Sequence, residues 1–130
     1  MAIIGSEHLM EKGIVYVNAH GTSTPIGDPI ELKSLRRFKG RKRNIFASST
    51  KSMTGHLLGA AGGVEAVFSV LALDKGVLPP TAHLTDPIGE AEDMDLIPNE
   101  AKVIKPHLVI NSTFGFGGLN SVTAFKRLGN

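Results

Sequence analysis

Residues 56–75 form the longest patterned stretch of this 130-residue chain and constrain its fold more than any other segment. Leu57, Leu58, Ala60, Ala61, Val64, Val67, Phe68, Leu71 and Leu73 place apolar side chains nearly all round a helical period. A helix without a polar face must be covered on every side, so the pattern predicts a buried helix. Thr54 is its expected N-cap, and Gly76 its expected stop. A chain of this length builds one domain at most, here taken as residues 1–130. Covering such a helix leaves apolar surface over, which predicts a further domain or subunit beside it.

Short β-branched apolar runs surround that helix. Residues 13–19 (GIVYVNA), 44–49 (NIFASS) and 108–112 read as buried strands running into polar loops, and residues 121–128 as a fourth strand with partial alternation. Asp28-Pro29 opens a helix to about Lys39, with Asp28 as N-cap, Pro29 at the first helical position, and Ile30, Leu35 and Phe38 on the apolar side. Residues 85–105 mix proline, glycine and acids and read as a surface excursion. Strand, helix, strand, helix and two closing strands predict an α/β layer with a mixed sheet.

Composition removes several functional classes. The chain is 42% hydrophobic and 20% charged, in the range of ordered globular domains. No apolar run reaches the roughly 18 residues that cross a bilayer, and the first ten residues lack a secretory pattern. There is no cysteine, hence no disulfide, thiolate metal site or thiol nucleophile. Net charge is +2, too little to imply a polyanion partner. Arg36, Arg37, Lys39, Arg41, Lys42 and Arg43 are nonetheless crowded together; the run reads as a solvated face, with docking of an acidic protein as its alternative. Without interleaved aromatic residues it does not suggest nucleic-acid binding.

Three loops after the first three strands carry the chemistry: His20-Gly21-Thr22-Ser23-Thr24, then Lys51 to His56, then Phe114-Gly115-Phe116-Gly117-Gly118. Ligands of open α/β sheets bind beyond the carboxyl ends of strands. His56, placed at the start of the long helix, would be kept uncharged by the positive helix end and could donate a hydrogen bond. Each residue also has a plainer reading: His56 a capping histidine, His20 a structural one, Lys51 a solvated lysine, the glycine run a tight turn that could equally supply an oxyanion-hole donor. The convergence of all three loops favours a site. His8, His83 and His107 read as surface residues. His20 and His56 lack the carboxylate spacing of a zinc site.

YVNAHGTSTPIGDPIE, SSTKSMTGHLLGAAGGVEA, LPPT and FGFGGLN stand in the order found in condensing enzymes of the thiolase-like superfamily. Over residues 13–128 the chain resembles the C-terminal half of the β-ketoacyl-acyl-carrier-protein synthases of fatty acid elongation. The resemblance implies a decarboxylative Claisen condensation, in which malonyl-acyl-carrier protein loses carbon dioxide and its enolate attacks an acyl thioester held on a cysteine. His20 and His56 then match the two histidines that stabilise the enolate. Lys51, with Asp28 and Glu65, matches the group that organises the site, and Asn120 belongs to the same supporting set. Thr22 and Thr24 match residues that hold the phosphopantetheine arm, with Gly117 and Gly118 also beside the substrate, and Phe116 matches the gating phenylalanine whose N–H serves the oxyanion hole.

The family's nucleophilic cysteine would lie in an N-terminal half that residues before Asn18 do not supply, so the chain alone is expected to be an incomplete acyltransferase. Its implied partners are acyl carrier protein, malonyl and acyl thioesters, the N-terminal half of the synthase and a family-type homodimer mate. A bacterial cytoplasm, a mitochondrial matrix or a plastid would each suit it. The alternative is a non-catalytic thiolase-like binding or heterodimer subunit, against which the retained histidines and lysine speak. Where the family reads Asn-Ser-Phe, this chain reads Asn111-Ser112-Thr113-Phe114. Aligned on the phenylalanine, Ser112 takes the asparagine position. That departs from the family's monovalent-cation site, to which Asn18 and Glu65 would contribute, so no metal and no resident cofactor are expected; phosphopantetheine arrives on the carrier protein.

Overall fold

A computed structural model describes residues 13–39, 43–91 and 94–127. Its main sheet has four strands in the order β2-β1-β5-β6: β1 (Gly13–Asn18), β2 (Arg43–Ser48), β5 (Leu108–Phe114) and β6 (Asn120–Lys126). β1 pairs in parallel with both β2 and β5, and β6 runs antiparallel to β5. The sheet is therefore mixed, as the element order implies.

Parallel strands covered on both faces need apolar residues at successive positions. Val15, Val17, Ile45, Ala47, Leu108 and Ile110 face one side, where they meet Leu32 and Leu35 of α1 (Gly27–Lys39). Tyr16 and Val109 face the other and pack with Ala72 and Leu73 of α3 (Ala61–Lys75). Tyr16 is fully buried, its hydroxyl 2.9 Å from Ser48 Oγ, and burial pushes its pKa well above the usual phenol value.

The helices depart from the sequence reading in instructive ways. α1 begins at Gly27, and Thr24, not Asp28, receives the cap contact: its hydroxyl accepts the Gly27 N–H at 3.1 Å, while Asp28 Oδ1 accepts the Thr24 N–H at 3.3 Å. This reciprocal exchange resembles a capping box. The buried face is Glu31, Leu32 and Leu35; Ile30 is 61% exposed. The long helix begins at Ala61 rather than near His56, after a four-residue helix α2 (Lys51–Thr54) and a 3₁₀ turn at Leu58–Ala60. Thr54 thus closes α2 and caps nothing on α3. Gly76 ends α3 as expected, in the left-handed conformation with its N–H on Ala72 O at 3.0 Å.

Residues 85–105 are not a surface excursion. Met94 and Ala91 join the α1-side core, Ile97 is fully buried on the other side, and Asp95 bridges Phe46 beyond β2. β4 (Lys102–Val103) pairs with β3 (Val77–Leu78) in a small second sheet. His107 is half-buried over Gly13 with Nδ1 2.6 Å from Ile14 O, and so is not a surface residue. Within the basic run, Arg36 and Arg37 are exposed in the last turn of α1, while positions 40–42 lie outside the described residues, as does His8.

α3 buries Ala61, Glu65, Ser69, Ala72 and Leu73 but exposes Val67, Val70 and Leu71 by 60%, 46% and 46%. The excess of apolar surface read from the sequence is therefore present on this helix. Among the described residues no helix is long and apolar enough to cross a membrane.

The register of α1 is open to a direct check. Leu32→Ala should lower the unfolding free energy by about 2–5 kcal/mol in urea titrations, as for a buried leucine. Ile30→Ala should stay within about 0.5 kcal/mol; the reverse ranking would move the buried face to where the sequence reading put it.

Candidate functional site

β1, β2 and β5 end at the same edge of the sheet, and this alone brings the three loops together. The His20 and His56 rings meet edge to face, 5.4 Å between centroids at 85°. Phe114, the last residue of β5, is tilted against the His20 ring at 5.5 Å. Lys51 begins α2 and is buried, its ammonium paired with the equally buried Glu65 carboxylate of α3.

His56 is not at a helix N-terminus, and since the macrodipole acts only over the terminal turn, that field does not reach it as supposed. A local hydrogen bond fixes the ring and its tautomer. The Leu58 N–H donates to His56 Nδ1 at 3.2 Å, which leaves the ring proton on Nε2. The same bond turns the chain: Leu58 is held at φ 51°, a left-handed value uncommon for leucine, and α3 starts only afterwards. The imidazole is exposed in this chain and presents Nε2–H as a donor.

His20 is held through its backbone. Glu31, buried on α1, accepts the His20 N–H with one carboxylate oxygen and the Gly21 N–H with the other, both at 2.9 Å, and the first oxygen also accepts Ser112 Oγ–H at 2.6 Å. Gly21 has φ 37°, and a Cβ there would stand 2.7 Å from Ser49 Cβ, so the loop closes this tightly only around glycine. Burial lowers the His20 pKa below its ordinary value, and the nearby Lys51 charge lowers it further, against the opposing pull of Glu31. His20 is accordingly uncharged near neutral pH.

A cleft of about 530 Å³ opens beside these groups. Thr22, Asp28, Lys51 and His56 are at its polar wall; Leu32, Leu35, Leu84 and Ile88 make the rest largely apolar. Of the residues singled out in the sequence, His20, His56, Lys51, Glu65, Thr22 and Asp28 therefore gather at one end of the sheet. Thr24 is exposed and its hydroxyl is engaged in capping α1. Phe116, Gly117, Gly118 and Asn120 do not line the cleft; Phe116 is 93% exposed on the turn after β5, where Gly117 reverses the backbone at φ 74°. His83 stands at the rim of the cleft, exposed.

Glu31 was given no role from the sequence, Ser112 only an alignment position and Phe114 only a place in the third loop. An acid on the Leu32–Leu35 face of α1 was the available signal for Glu31, since a buried carboxylate needs donors. Nothing local flags Phe114, whose contact is made by tertiary packing.

The residues around a monovalent-cation position can now be compared with the pattern the resemblance implies. Ser112 spends its hydroxyl on Glu31, so it does not replace the asparagine. Glu65 Oε2 and Asn111 Oδ1, by contrast, are buried acceptors without a hydrogen-bond partner among the described residues. Together with Asn18 they offer the oxygen ligands that a monovalent ion takes.

The sequence profile described as "Beta-ketoacyl synthase, C-terminal domain" matches residues 2–85. The chain belongs to this family. It is 50% identical over 115 residues to 3-oxoacyl-[acyl-carrier-protein] synthase 2 of Vibrio harveyi, an alignment covering 87% of this chain and 28% of that protein. The crystal structure of a β-ketoacyl synthase from Burkholderia phymatum STM815 superposes with a TM-score of 0.80 at 38% identity, over 88% of this chain and 28% of that one. AntDE:AntF, a type II polyketide synthase acyl-carrier protein in complex with its ketosynthase, superposes at 0.77 and 31% identity, over 87% of this chain and 28% of the other. The fold is thus that of the ketosynthases, and this chain spans 28% of the length of each of these three relatives.

Two measurements follow from the geometry. Glu31→Gln can no longer accept three donors as an anion; it should cost about 1–3 kcal/mol of stability and raise hydrogen exchange at the His20 and Gly21 amides. In NMR titrations the His20 ring should titrate below 6.5, and removing the Lys51 charge in Lys51→Met/Glu65→Gln should shift it part of the way back up. The linked stability is highest above 6.5, where His20 is neutral in both states. It falls as pH drops from 6.5 through the folded-state pKa, because the unfolded chain binds the proton first.

Proposed function

We propose that this chain is the enolate-stabilising part of a β-ketoacyl-acyl-carrier-protein synthase, completed by a cysteine-bearing part of the synthase, in the elongation of fatty acids. The observation that carries the reading is the edge-to-face pair His20–His56 at 5.4 Å, close enough for one thioester oxygen to meet both rings.

Loss of carbon dioxide from a malonyl thioester leaves two electrons that delocalise onto the thioester oxygen. Donors already aimed at that oxygen lower the barrier most, because no reorganisation is needed as the charge grows. His56 Nε2–H is one such donor, set by the Leu58 N–H on Nδ1. His20, uncharged and held by its backbone to Glu31, is the other. Lys51 adds a positive field near both rings, and Glu65 keeps its ammonium in place. Neither histidine has to take a proton for the carbon–carbon bond to form. The enolate carbon attacks the acyl thioester carbonyl, and the departing thiolate belongs to a cysteine that this chain, having none, cannot supply.

Thr22 and Asp28 at the cleft wall suit the amide-bearing pantetheine arm, with Thr24, Gly117, Gly118 and Asn120 further along the approach and Phe116 as a movable cover over the site. The proposed partners are an acyl carrier protein bearing malonyl or acyl groups, the cysteine-bearing part, and a second complete synthase as homodimer mate. The carrier-protein complex of a solved ketosynthase relative supports the first of these. The exposed face of α3 supports the second.

Purified alone, the chain should release no 3-oxoacyl product from acyl and malonyl carrier proteins. Combined with a cysteine-bearing part, it should decarboxylate malonyl-acyl-carrier protein, and His56→Ala should cut that rate by about 10²–10³. A reconstituted rate untouched by His56→Ala would point instead to a non-catalytic, heterodimer-type subunit.

A further inference from the structure

The loops that carry His20 and His56 meet at Ser49, the residue after β2. Ser49 is buried, and its Cβ is packed so closely under Gly21 that no side chain fits there. Its hydroxyl points to His20 O at 3.4 Å, and its carbonyl accepts Ser52 Oγ–H at 2.8 Å in α2. The pairing of β1 with β2 ends at Ser48, and the Ser49 N–H instead donates to Thr81 Oγ1 at 3.1 Å. Thr81 belongs to the run Pro79-Pro80-Thr81-Ala82 after β3, where the two prolines restrict the backbone. Every polar group of Thr81 is engaged. Its hydroxyl donates to Leu96 O at 3.3 Å, its N–H donates to Ile97 O at 2.9 Å, and its carbonyl accepts the Asn99 N–H at 3.0 Å. The rest of the run grips the same corner: Pro79 O accepts Ser48 Oγ–H at 2.6 Å, and the Ala82 N–H donates to Ser52 Oγ at 2.8 Å.

A buried N–H requires an acceptor, and an acceptor anchored on residues 96–99 leaves Ser49 one place to stand. Any shift of Ser49 would carry Gly21 with it on one side, and on the other α2, which leads to His56. We propose that Thr81 is a positioning residue for the His20–His56 pair: its hydroxyl fixes Ser49, and Ser49 fixes the spacing of the two loops. Thr81 also lines the cleft, but its hydroxyl proton is committed to Leu96 O, so it acts through Ser49 rather than on a ligand. Glu31 holds the His20 loop from α1, and Thr81 holds it from the β2 side. A displacement of about 1 Å in groups that meet a reacting atom can cost about 10²-fold in rate. The consequence for turnover rests on the enolate-stabilising function proposed above; the geometric role of Thr81 does not.

The test compares Thr81→Val, which keeps the shape and removes the acceptor, with Thr81→Ser, which keeps the hydroxyl. In NMR spectra of the full chain, the NOE between the His20 and His56 ring protons should be lost in Thr81→Val and retained in Thr81→Ser. With the cysteine-bearing part added, kcat for malonyl decarboxylation should fall about 10–10²-fold in Thr81→Val at unchanged KM, and Thr81→Ser should restore it. If Thr81→Val does not fold, Ser52→Ala, which takes the acceptor from the Ala82 N–H at the same corner, is read in the same way. A ring contact that persists in folded Thr81→Val, or a serine variant as impaired as the valine one, overturns the assignment. So does a rate that drops in His56→Ala and not in Thr81→Val. A rate indifferent to His56→Ala would sink the enolate reading instead, and the ring contact alone would then decide the role of Thr81.

Discussion

The carboxylate of Glu31 is the constraint on which the candidate site depends. It is buried on α1, yet its three donors come from the loop after β1 and from β5. A buried carboxylate is tolerated only with donors of this kind, so the helix cannot shift without breaking them. The His20 backbone cannot move without the same loss. The imidazole is thereby aimed from behind, and its face is left for His56 and Phe114. On the other face of the sheet Lys51 and Glu65 form the matching brace, joining α2 to α3. Two buried carboxylates, one on each helix layer, hold the end of the sheet where the three loops converge.

That arrangement is complete on the sheet side and open on the outer side. Phe116, Leu119, Leu58 and the Val67–Val70–Leu71 stripe of α3 are exposed, and His56 with them. Exposed apolar surface of this extent marks a contact surface more often than free protein surface. The chain spans 28% of the length of its relatives, so in those proteins further residues are available to cover such a face. A site that stabilises charge needs exclusion of water to act strongly. Under the proposed function, the exposed outer side would be closed by the cysteine-bearing part of the synthase.

Much of the fold was legible because parallel strands buried on two faces must be written as short continuous apolar runs. Residues 13–19, 44–49 and 108–112 were read that way, and each contains or overlaps a strand of the sheet. The convergence of His20, Lys51 and His56 followed from placing each after a strand. What failed were features decided by single local bonds or by long-range packing. Thr24 rather than Asp28 caps α1, because its hydroxyl reaches the Gly27 N–H. The Leu58 N–H bond to His56 Nδ1 sets the ring's orientation, and α3 starts only at Ala61, so the helix end expected to keep His56 uncharged lies beyond it. Residues 85–105 looked like surface because their apolar residues follow no period, yet Met94 and Ile97 fill gaps in two cores.

By itself the sequence determined the α/β class, the family, the loops that meet at one end of the sheet and the lack of a thiol, because all of these depend on residue type and order. Tertiary structure alone decided which atoms face one another. Glu31 became a clamp, Ser112 its third donor and Asn111 Oδ1 an acceptor without a donor among the described residues, since hydrogen-bond pairing depends on directions in space that residue spacing does not carry. His20 was legible as a candidate from its neighbours in the chain; that it is neutral follows from burial and from Lys51, brought beside it from 31 positions away by the parallel pairing of β1 with β2.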